Sequence, residues 1–335
     1  MEQIAIGSVP LLTSRIGLGT WAMGGTNWGA TDEAQSIATI QAAVDRGVTF
    51  IDTAPVYGFG LSEEVVGKAL AEAKLRDRVQ ISTKVGLNWT ADKQVFRDSR
   101  PERIRHEIDA SLRRLRTDVI DIYHVHWPDL ETPIEDAAEM LEDLKRQGKI
   151  RAIGVSNFSP AQMDQFRSRA TLDVVQPPYN LFERGIDADV LPYAQSNKLV
   201  AECYGALCRG LLSGAMTEAT TFPGDDLRNT DPKFKNGAFS AYLAAAADLK
   251  ALARDRFGKS LLALAVRWVL DQGPTIALWG ARRPEELDPV GDVDGWRIDD
   301  AAKRDIDAIL ARHIPHPIQP TFMAPPEKRP RDLAA

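Results

Sequence analysis

The sequence predicts an α/β protein built as a (β/α)8 barrel. Its 335 residues exceed the roughly 250 that such barrels commonly need. With 44% hydrophobic and 26% charged residues, the chain has an ordinary globular balance. Short apolar runs alternate with helical segments eight times along the chain, and parallel strands need helical crossovers. A doubly wound sheet is the structural alternative, although it more often uses fewer such units before a second domain. We therefore expect a single barrel domain over residues 1–335.

The predicted strands are short runs of apolar residues that end at polar or turn-forming positions. They are, in order, residues 16–20, 49–53, 79–84, 119–127, 150–156, 173–178, 199–204 and 275–280. The first intervening helix has Thr31 or Asp32 as its N-cap candidate and Gly47 as its stop. The stretches "RPERIRHE", "PIEDAAEM" and "SPAQMDQF" begin further helices in the same way.

Three segments depart from the minimal repeat of strand and helix. Residues 1–15 predict an N-terminal β-hairpin that caps the N-terminal end of the barrel. Residues 213–238 form a long loop after strand seven that is rich in Gly, Pro and Asp, and long loops in compact domains are usually functional or disordered. Residues 314–335 are rich in proline and predict an irregular C-terminal tail.

The composition argues against several classes of protein. A net charge of −6 and a pI of about 5.5 do not suit a general nucleic-acid-binding surface. The start of the chain does not resemble a secretory signal, and no apolar run reaches the roughly 20 residues that cross a bilayer. Two cysteines do not make a disulfide framework. We expect a cytoplasmic protein whose partner is a small molecule rather than a nucleic acid or a membrane.

Polar residues at the C-terminal ends of three neighbouring strands are the candidate catalytic groups, because active sites of such barrels are built there. Asp52 ends strand two and is followed by Tyr57, Lys84 ends strand three, and His126 ends strand four. A lysine that points into a barrel mouth needs a carboxylate partner, and Asp52 is available. The cation is expected to lower the pKa of Tyr57 from about 10 and so prepare it as a general acid. His126 is expected to orient a substrate carbonyl or to help move the proton.

The stretches around these four residues, "FIDTAPVYG", "STKVG" and "DIYHVHWPD", resemble the aldo-keto reductase superfamily and its Asp, Tyr, Lys and His tetrad. The segments "GKIRAIGVSNF", "VQPPYNLFER" and "YGALCRGLLSG" are similar to later signatures of that superfamily. The segments "GDDLRNTDPKF" and "IALWGARRPEEL" resemble its bacterial family 11, which includes a general stress protein reductase. The resemblance implies that the enzyme interconverts alcohols with aldehydes or ketones, with Tyr57 as general acid and base and small aldehydes such as glyceraldehyde as substrates.

The resemblance also implies NADPH as the cofactor, without a Rossmann domain and without a metal. The implied cofactor residues lie at the ends of strands five to eight and in the loops that follow them: Ser156, Asn157, Gln176, Tyr204, Gly205, Leu207, Arg209, Gly210, Leu211, Gly280, Arg282, Arg283 and Glu286. The first three hydrogen-bond the nicotinamide amide and the tyrosine stacks beneath the ring. The loop at 205–211 follows the pyrophosphate, and the last four residues surround the adenosine.

The adenosine end carries conflicting signals for the choice of cofactor. Two arginines suit a 2′-phosphate, since guanidinium groups match phosphate oxygens. Glu286 stands where members of this branch commonly carry Gln, and its carboxylate would repel that phosphate while accepting hydrogen bonds from a free ribose hydroxyl. We expect NADPH, with NADH as a possible second cofactor.

Three tryptophans near strand ends, Trp21, Trp89 and Trp127, are expected to line the substrate pocket. Two alternative functions stay open. His124 and His126 share one face of a strand and could bind one zinc ion in a metal-dependent barrel hydrolase. The chain could also be a non-catalytic binding subunit of aldo-keto reductase type, although barrel packing gives no reason to retain Tyr57 together with Lys84.

Overall fold

The computed structural model describes residues 1–7 and 9–327, and its centre is a closed barrel of eight parallel strands. The strands of the barrel are β3 (Ile16–Gly19), β4 (Phe50–Asp52), β5 (Gln80–Val85), β8 (Ile120–Val125), β9 (Ile150–Ser156), β10 (Val174–Gln176), β11 (Val200–Cys203) and β12 (Thr275–Gly280). Each of them overlaps one of the eight predicted strands. β12 pairs with β3 and so closes the barrel. The predicted (β/α)8 barrel is confirmed.

Helices surround the barrel: α1 (Glu33–Asp45), α2 (Leu61–Glu72), α3 (Pro101–Leu115), α4 (Ile134–Arg146), α5 (Pro160–Arg167), α6 (Val190–Ser196), α7 (Asn236–Phe257), α8 (Leu261–Leu270) and α9 (Asp300–His313). Of the two N-cap candidates for α1, Asp32 is the one that caps the helix, because its side chain accepts from the Gln35 N–H. Ser159 begins α5 with a reciprocal capping box to Gln162. Among residues 1–7 and 9–327, no helix combines the length and the apolar character that crossing a bilayer requires.

The N-terminal hairpin closes the bottom of the barrel, as predicted. It consists of β1 (Gln3–Ala5) and β2 (Leu12–Ser14), which pair antiparallel. Ile6 and Leu11 lie in the connection and are buried. They pack in one cluster with side chains from the barrel strands: Phe50, Ile122, Ala152, Val174, Val200, Ile276 and Leu278. This apolar layer separates the barrel interior from solvent at its N-terminal end.

A second antiparallel hairpin, which the sequence did not reveal, follows β5 at the C-terminal end of the barrel. Its strands are β6 (Leu87–Trp89) and β7 (Val95–Arg97). The long loop after β11 contains short 3-10 turns at Leu227–Asn229 and Pro232–Phe234, and α7 starts at Asn236, slightly before the predicted end of the loop at residue 238. The C-terminal segment after α9 is irregular except for a turn at Pro320–Met323, and residues 328–335 of the predicted tail lie outside the described residues.

The hairpin cap can be tested by truncating one of its buried side chains. Ile6→Ala should lower the free energy of unfolding by about 2–4 kcal/mol, because Ile6 is 0% exposed and the apolar layer around it cannot collapse fully. Leu12→Ala on the same hairpin is the matched control, since Leu12 is 56% exposed and should cost well under 1 kcal/mol. Urea unfolding of both variants measures the difference. Equal losses would show that the hairpin does not seal the barrel.

Candidate active site

The predicted lysine–carboxylate pair is formed inside the barrel mouth. Lys84 Nζ donates to Asp52 Oδ1 at 2.5 Å and to the Thr53 carbonyl at 2.9 Å. Both side chains are buried, on the neighbouring strands β4 and β5. Burial by itself would lower the pKa of Lys84, but Asp52, Tyr57 and Glu202 together outweigh it and the net pKa is raised. Lys84 is therefore a permanent buried cation.

Tyr57 lies in the turn after β4, within reach of this cation. Lys84 Nζ is 5.2 Å from the centroid of the Tyr57 ring. The ring centroids of Trp21 and His126 lie 5.8 Å and 5.9 Å from the same Tyr57 centroid. Burial raises the pKa of Tyr57 to about 12, although the residue is only half-buried and Lys84 acts to lower the value. The expected net lowering of this pKa is wrong, because loss of hydration outweighs the cation. The phenol is protonated at neutral pH, as a general acid must be.

The approach of two loops holds Tyr57 in this position. A Cβ atom on Gly24 would lie 2.6 Å from the Tyr57 carbonyl carbon, and one on Gly58 would lie 2.3 Å from the Gly24 carbonyl oxygen. Gly58 also has φ of +65°, which glycine adopts at little cost. The two glycines let the turn at Trp21–Gly24 contact the turn that carries the tyrosine.

His126 follows β8 and is buried beside Tyr57. Burial, with the positive charge of Lys84 nearby, holds its pKa well below the usual value, so the imidazole is neutral. Its backbone is fixed on both sides, since the N–H donates to the Val85 carbonyl at 2.7 Å and the carbonyl accepts from Asn157 Nδ2 at 3.0 Å. The four residues predicted as a tetrad thus lie together, and a neutral imidazole can donate a hydrogen bond to a substrate oxygen.

A second buried carboxylate, which the sequence analysis missed, lies behind Asp52. Glu202 on β11 is 0% exposed, and His124 Nε2 is 3.1 Å from its Oε2 atom. Burial, together with the charge of Glu202, raises the pKa of Asp52 to about 7 against the opposing effect of Lys84, and burial also raises the pKa of Glu202. Burial lowers the pKa of His124 to about 3. Charge balance around Lys84 is reached when the two carboxylates share one proton and His124 is neutral.

His124 is therefore a packed and hydrogen-bonded barrel residue. Its ring lies where a Cβ atom on Gly154 would be only 2.2 Å away from Nδ1, so the glycine makes room for it. Within the described residues, no three His, Cys, Asp or Glu side chains are grouped so that they could hold a metal ion.

The residues expected around the nicotinamide form one connected group. Ser156 Oγ donates to the Gln176 carbonyl at 2.8 Å and accepts from Asn157 Nδ2 at 2.9 Å. The Tyr204 hydroxyl donates to Asn157 Oδ1 at 2.9 Å. The Asn157 amide is thus engaged with protein on both sides, whereas the side chain of Gln176 is directed at Asp52 and Glu202 through Nε2 alone.

The loop from residue 205 to residue 211 turns sharply after β11. Gly205 and Gly210 have φ of +71° and +94°, Leu207 is half-buried and Leu211 is buried. Arg209 does not extend from this loop into solvent. Its Nε donates to Asp231 Oδ2 at 2.7 Å and its Nη2 pairs with Glu183, both of them buried. These two carboxylates occupy two of the five N–H donors of the guanidinium that we expected to follow a pyrophosphate.

The four residues expected at the adenosine end lie together after β12 on the surface. Gly280, Arg282 and Arg283 are exposed and Glu286 is partly exposed. Glu286 Oε2 accepts from the Arg282 N–H at 2.8 Å, and Oε1 pairs with Arg283 Nη2 at 3.1 Å. Arg282 Nη1 donates to the Trp28 carbonyl at 2.6 Å. The Glu286 carboxylate thus competes for Arg283 with any bound phosphate.

Aromatic residues surround the mouth, and not all of them were expected. Trp21 stacks on Tyr57, and Trp28, which the sequence analysis missed, meets Trp21 edge-on at 5.5 Å. Trp89 lies on β6 and contacts Phe59 at 5.4 Å, two residues beyond Tyr57. Trp127 follows His126 and packs under the guanidinium of Arg97 at 5.3 Å. Of the three predicted tryptophans, only Trp21 touches a member of the predicted tetrad by ring contact among the described residues.

A sequence model of the Aldo/keto reductase family matches residues 15–311. The chain belongs to this family. Aldo-keto reductase YhdN from Bacillus subtilis is 55% identical over 329 residues, 98% of this chain and 99% of YhdN. The NADH-specific methylglyoxal reductase of Escherichia coli is 36% identical over 302 residues, 86% of this chain and 91% of that enzyme.

Solved structures agree with this assignment. The glycerol dehydrogenase AKR11B4 from Gluconobacter oxydans has a TM-score of 0.88 at 56% identity, covering 96% of this chain and 99% of that one. An aldo-keto reductase from Klebsiella pneumoniae in complex with NADP and acetate has a TM-score of 0.72 at 28% identity, covering 98% of each chain. The resemblance to aldo-keto reductases and to their family 11 is confirmed, and this aldo/keto reductase is an NAD(P)H-dependent oxidoreductase of carbonyl or alcohol groups rather than a zinc hydrolase.

The shared proton of this aldo/keto reductase predicts a stability difference that depends on pH. A carboxyl group whose pKa is raised on folding stabilises the fold at low pH and loses that contribution as the pH rises toward the folded value, here from about 4 to about 7. Relative to Glu202→Gln, which removes one carboxylate, the wild type should lose up to about 1.4 kcal/mol per pH unit in this window and then level off. Urea unfolding between pH 5 and pH 8 measures both curves.

The matched control for this experiment is Glu218→Gln, the same substitution at an exposed position of the long loop. Its curve should run parallel to that of the wild type. A Glu202→Gln curve that is also parallel would show that the two buried carboxylates do not hold a proton between them.

Proposed function

We propose that this chain is an NADPH-preferring reductase of small aldehydes such as glyceraldehyde, with NADH as a second cofactor and Tyr57 as the general acid. The observation that carries the proposal is the buried 2.5 Å contact between Lys84 and Asp52 with Tyr57 beside it. Barrel stability gives no reason to bury such a pair, because a well-packed apolar pair is commonly at least as stable. A cation held under a phenol has a chemical use, namely stabilising the phenolate when the proton leaves.

The chain's own residues divide the proton chemistry among them. Tyr57 donates its proton to the carbonyl oxygen as negative charge develops there, and Lys84 stabilises the phenolate that remains. Asp52 holds Lys84, and neutral His126 donates a hydrogen bond to the same oxygen. When bound, the nicotinamide cofactor supplies the hydride that reduces the carbonyl carbon. In alcohol oxidation Tyr57 takes the proton back.

Several features fit the nicotinamide cofactor that the family uses. Gln176 keeps an acceptor oxygen without a partner among the described residues, next to Ser156, Asn157 and Tyr204. The loop expected along the pyrophosphate carries no side chain at Gly205 and Gly210, which both have positive φ. In the same loop Leu207 is half-buried and Leu211 is buried. Arg209, paired with two carboxylates, is proposed to position this loop rather than to bind phosphate directly.

Support for a small substrate comes from the relatives and from the mouth itself. Two related enzymes are named for glycerol and for methylglyoxal, both three-carbon compounds. Trp21 stacks on Tyr57 of the proposed tetrad, Trp127 follows His126 in the chain, and Trp89 contacts Phe59 two residues beyond Tyr57. We take this group of large aromatic side chains to favour a short carbonyl compound over a bulky one.

Removing only the Tyr57 hydroxyl tests the proposed function. Tyr57→Phe should lower glyceraldehyde-dependent oxidation of NADPH by at least about 100-fold, because the general acid is lost. Binding of NADPH, measured by quenching of tryptophan fluorescence, should change by no more than about 2-fold, since no cofactor contact is assigned to this hydroxyl.

Tyr193→Phe provides the control, as it removes a hydroxyl from the surface helix α6, where it contacts Asp164. It should leave turnover unchanged. Undiminished turnover in Tyr57→Phe would exclude Tyr57 as the acid, and absence of NADPH binding by the folded wild type would exclude the reductase itself.

The choice between NADPH and NADH tests the adenosine end. Glu286→Gln should raise the preference for NADPH by about 2- to 5-fold, because it removes a charge that repels the 2′-phosphate and releases Arg283 from an exposed ion pair. The ratio of the NADPH and NADH dissociation constants measures this preference. Glu285→Gln is the neighbouring control and should leave the ratio as it is in the wild type. An unchanged ratio in Glu286→Gln would remove Glu286 from the account of selectivity.

A further inference from the structure

Glu202 is a charged residue in the otherwise apolar β11, and its side chain is fully buried at the centre of the barrel. Side chains from four other strands surround it. They are Asp52 of β4, Ser82 of β5, His124 of β8 and Gln176 of β10. Because Lys84 already has Asp52 as its carboxylate partner, the lysine does not explain a second buried carboxylate. The contact between Glu202 and Gln176 suggests what this second carboxylate does.

The Gln176 amide is held in one orientation by two carboxyl groups. Its Nε2 atom donates to Asp52 Oδ1 at 2.9 Å and to Glu202 Oε1 at 2.6 Å, which uses both N–H bonds. Turning the amide over would place its carbonyl oxygen against two carboxyl groups that carry one proton between them, so at least one oxygen–oxygen contact would be repulsive. The orientation is therefore determined by chemistry, and in the described part of the chain no donor reaches Gln176 Oε1.

Glu202 is itself fixed, so that it can act as a rigid acceptor. His124 Nε2 lies 3.1 Å from Glu202 Oε2 and 3.1 Å from Ser82 Oγ. On its Nδ1 side the His124 ring packs against Gly154, where a side chain would collide with the ring. Neither Glu202 nor His124 faces the mouth, because both are 0% exposed. Glu202 therefore acts on a ligand through its neighbours: Asp52 leads to Lys84 of the proposed tetrad, and Gln176 leads to the expected cofactor site.

We propose that Glu202 is a positioning residue for the cofactor: it fixes the Gln176 amide with its carbonyl oxygen toward the nicotinamide site. This subsite then accepts hydrogen bonds and cannot donate them, so it selects pyridine nucleotides whose 3-substituent carries an N–H donor. The inference rests on the proposed function, because it takes Gln176 as a contact of the nicotinamide carboxamide.

A nucleotide that lacks this donor provides the test. The 3-acetylpyridine analogue of NADP⁺ replaces the carboxamide NH2 with a methyl group and keeps the rest of the molecule. The wild type should bind NADP⁺ about 3- to 10-fold more tightly than the analogue, the effect of one hydrogen bond. In Glu202→Gln this ratio should fall toward 1, because the new amide can donate to Gln176 Oε1 and let the Gln176 amide turn over. Tryptophan fluorescence quenching gives all four dissociation constants.

The ratio separates positioning from structural damage, since a distorted site weakens both nucleotides together. Ser82→Ala is the control, because it removes another polar contact of Glu202 and leaves the bond to Gln176, so the wild-type ratio should persist. If Glu202→Gln does not fold, Glu202→Met supplies an uncharged side chain of similar length and should also reduce the ratio. A ratio near 1 in the wild type, or an unchanged ratio in a folded Glu202 variant, overturns the inference. Failure of the wild type to bind NADP⁺ would instead overturn the proposed function.

Discussion

The need to balance buried charge around one lysine organises the interior of this protein. Lys84 is fully buried, and an isolated ammonium group in that position would cost several kcal/mol. Asp52 supplies the opposite charge at 2.5 Å, and Gln176 and Glu202 complete a hydrogen-bonded network behind it. In a site that excludes water such contacts are strong, but each member must be satisfied. This costly polar network lies at the C-terminal end of the barrel, where Tyr57 and His126 adjoin it.

The barrel strands separate this polar network from an apolar layer by a simple periodicity. Phe50, Ile122, Val174 and Val200 belong to the layer that Ile6 and Leu11 cover. Two residues further along the same strands stand members of the polar network: Asp52, His124, Gln176 and Glu202. Side chains two apart on a strand share a face, so all of these point inward and differ only in depth. The hairpin closes the bottom of the barrel and thereby keeps the network above it away from water on that side.

Much of this arrangement could be predicted from the sequence, because alternation of strands and helices and polar residues at strand ends are local signals. The eight strands, the hairpin cap and the proximity of the four tetrad residues follow from them. The second hairpin was missed because β6 and β7 are inserted between β5 and α3, where the repeat of strand and helix predicts no further strand. Glu202 was missed because the candidate catalytic residues were taken from strand ends, and Glu202 lies inside a predicted strand. The pKa of Tyr57 and the partners of Arg209 depend on burial and on residues distant in the chain, neither of which a local pattern reveals.

The loops above the barrel join the adenosine end to the substrate mouth through Trp28. Its ring meets Trp21, which stacks on Tyr57, while its carbonyl accepts from Arg282. The long loop reaches the same place, since the Leu227 N–H donates to the Asn27 carbonyl at 2.8 Å and Arg228 lies over the Trp28 ring at 5.5 Å. Arg282, which the proposed function assigns to the adenosine end of the nucleotide, is therefore two contacts away from Trp21, the proposed wall of the substrate pocket. Under the proposed function, Trp28 thus links the residues assigned to cofactor choice with those assigned to the substrate, and substitutions at either end are expected to change the surroundings of the same tryptophan.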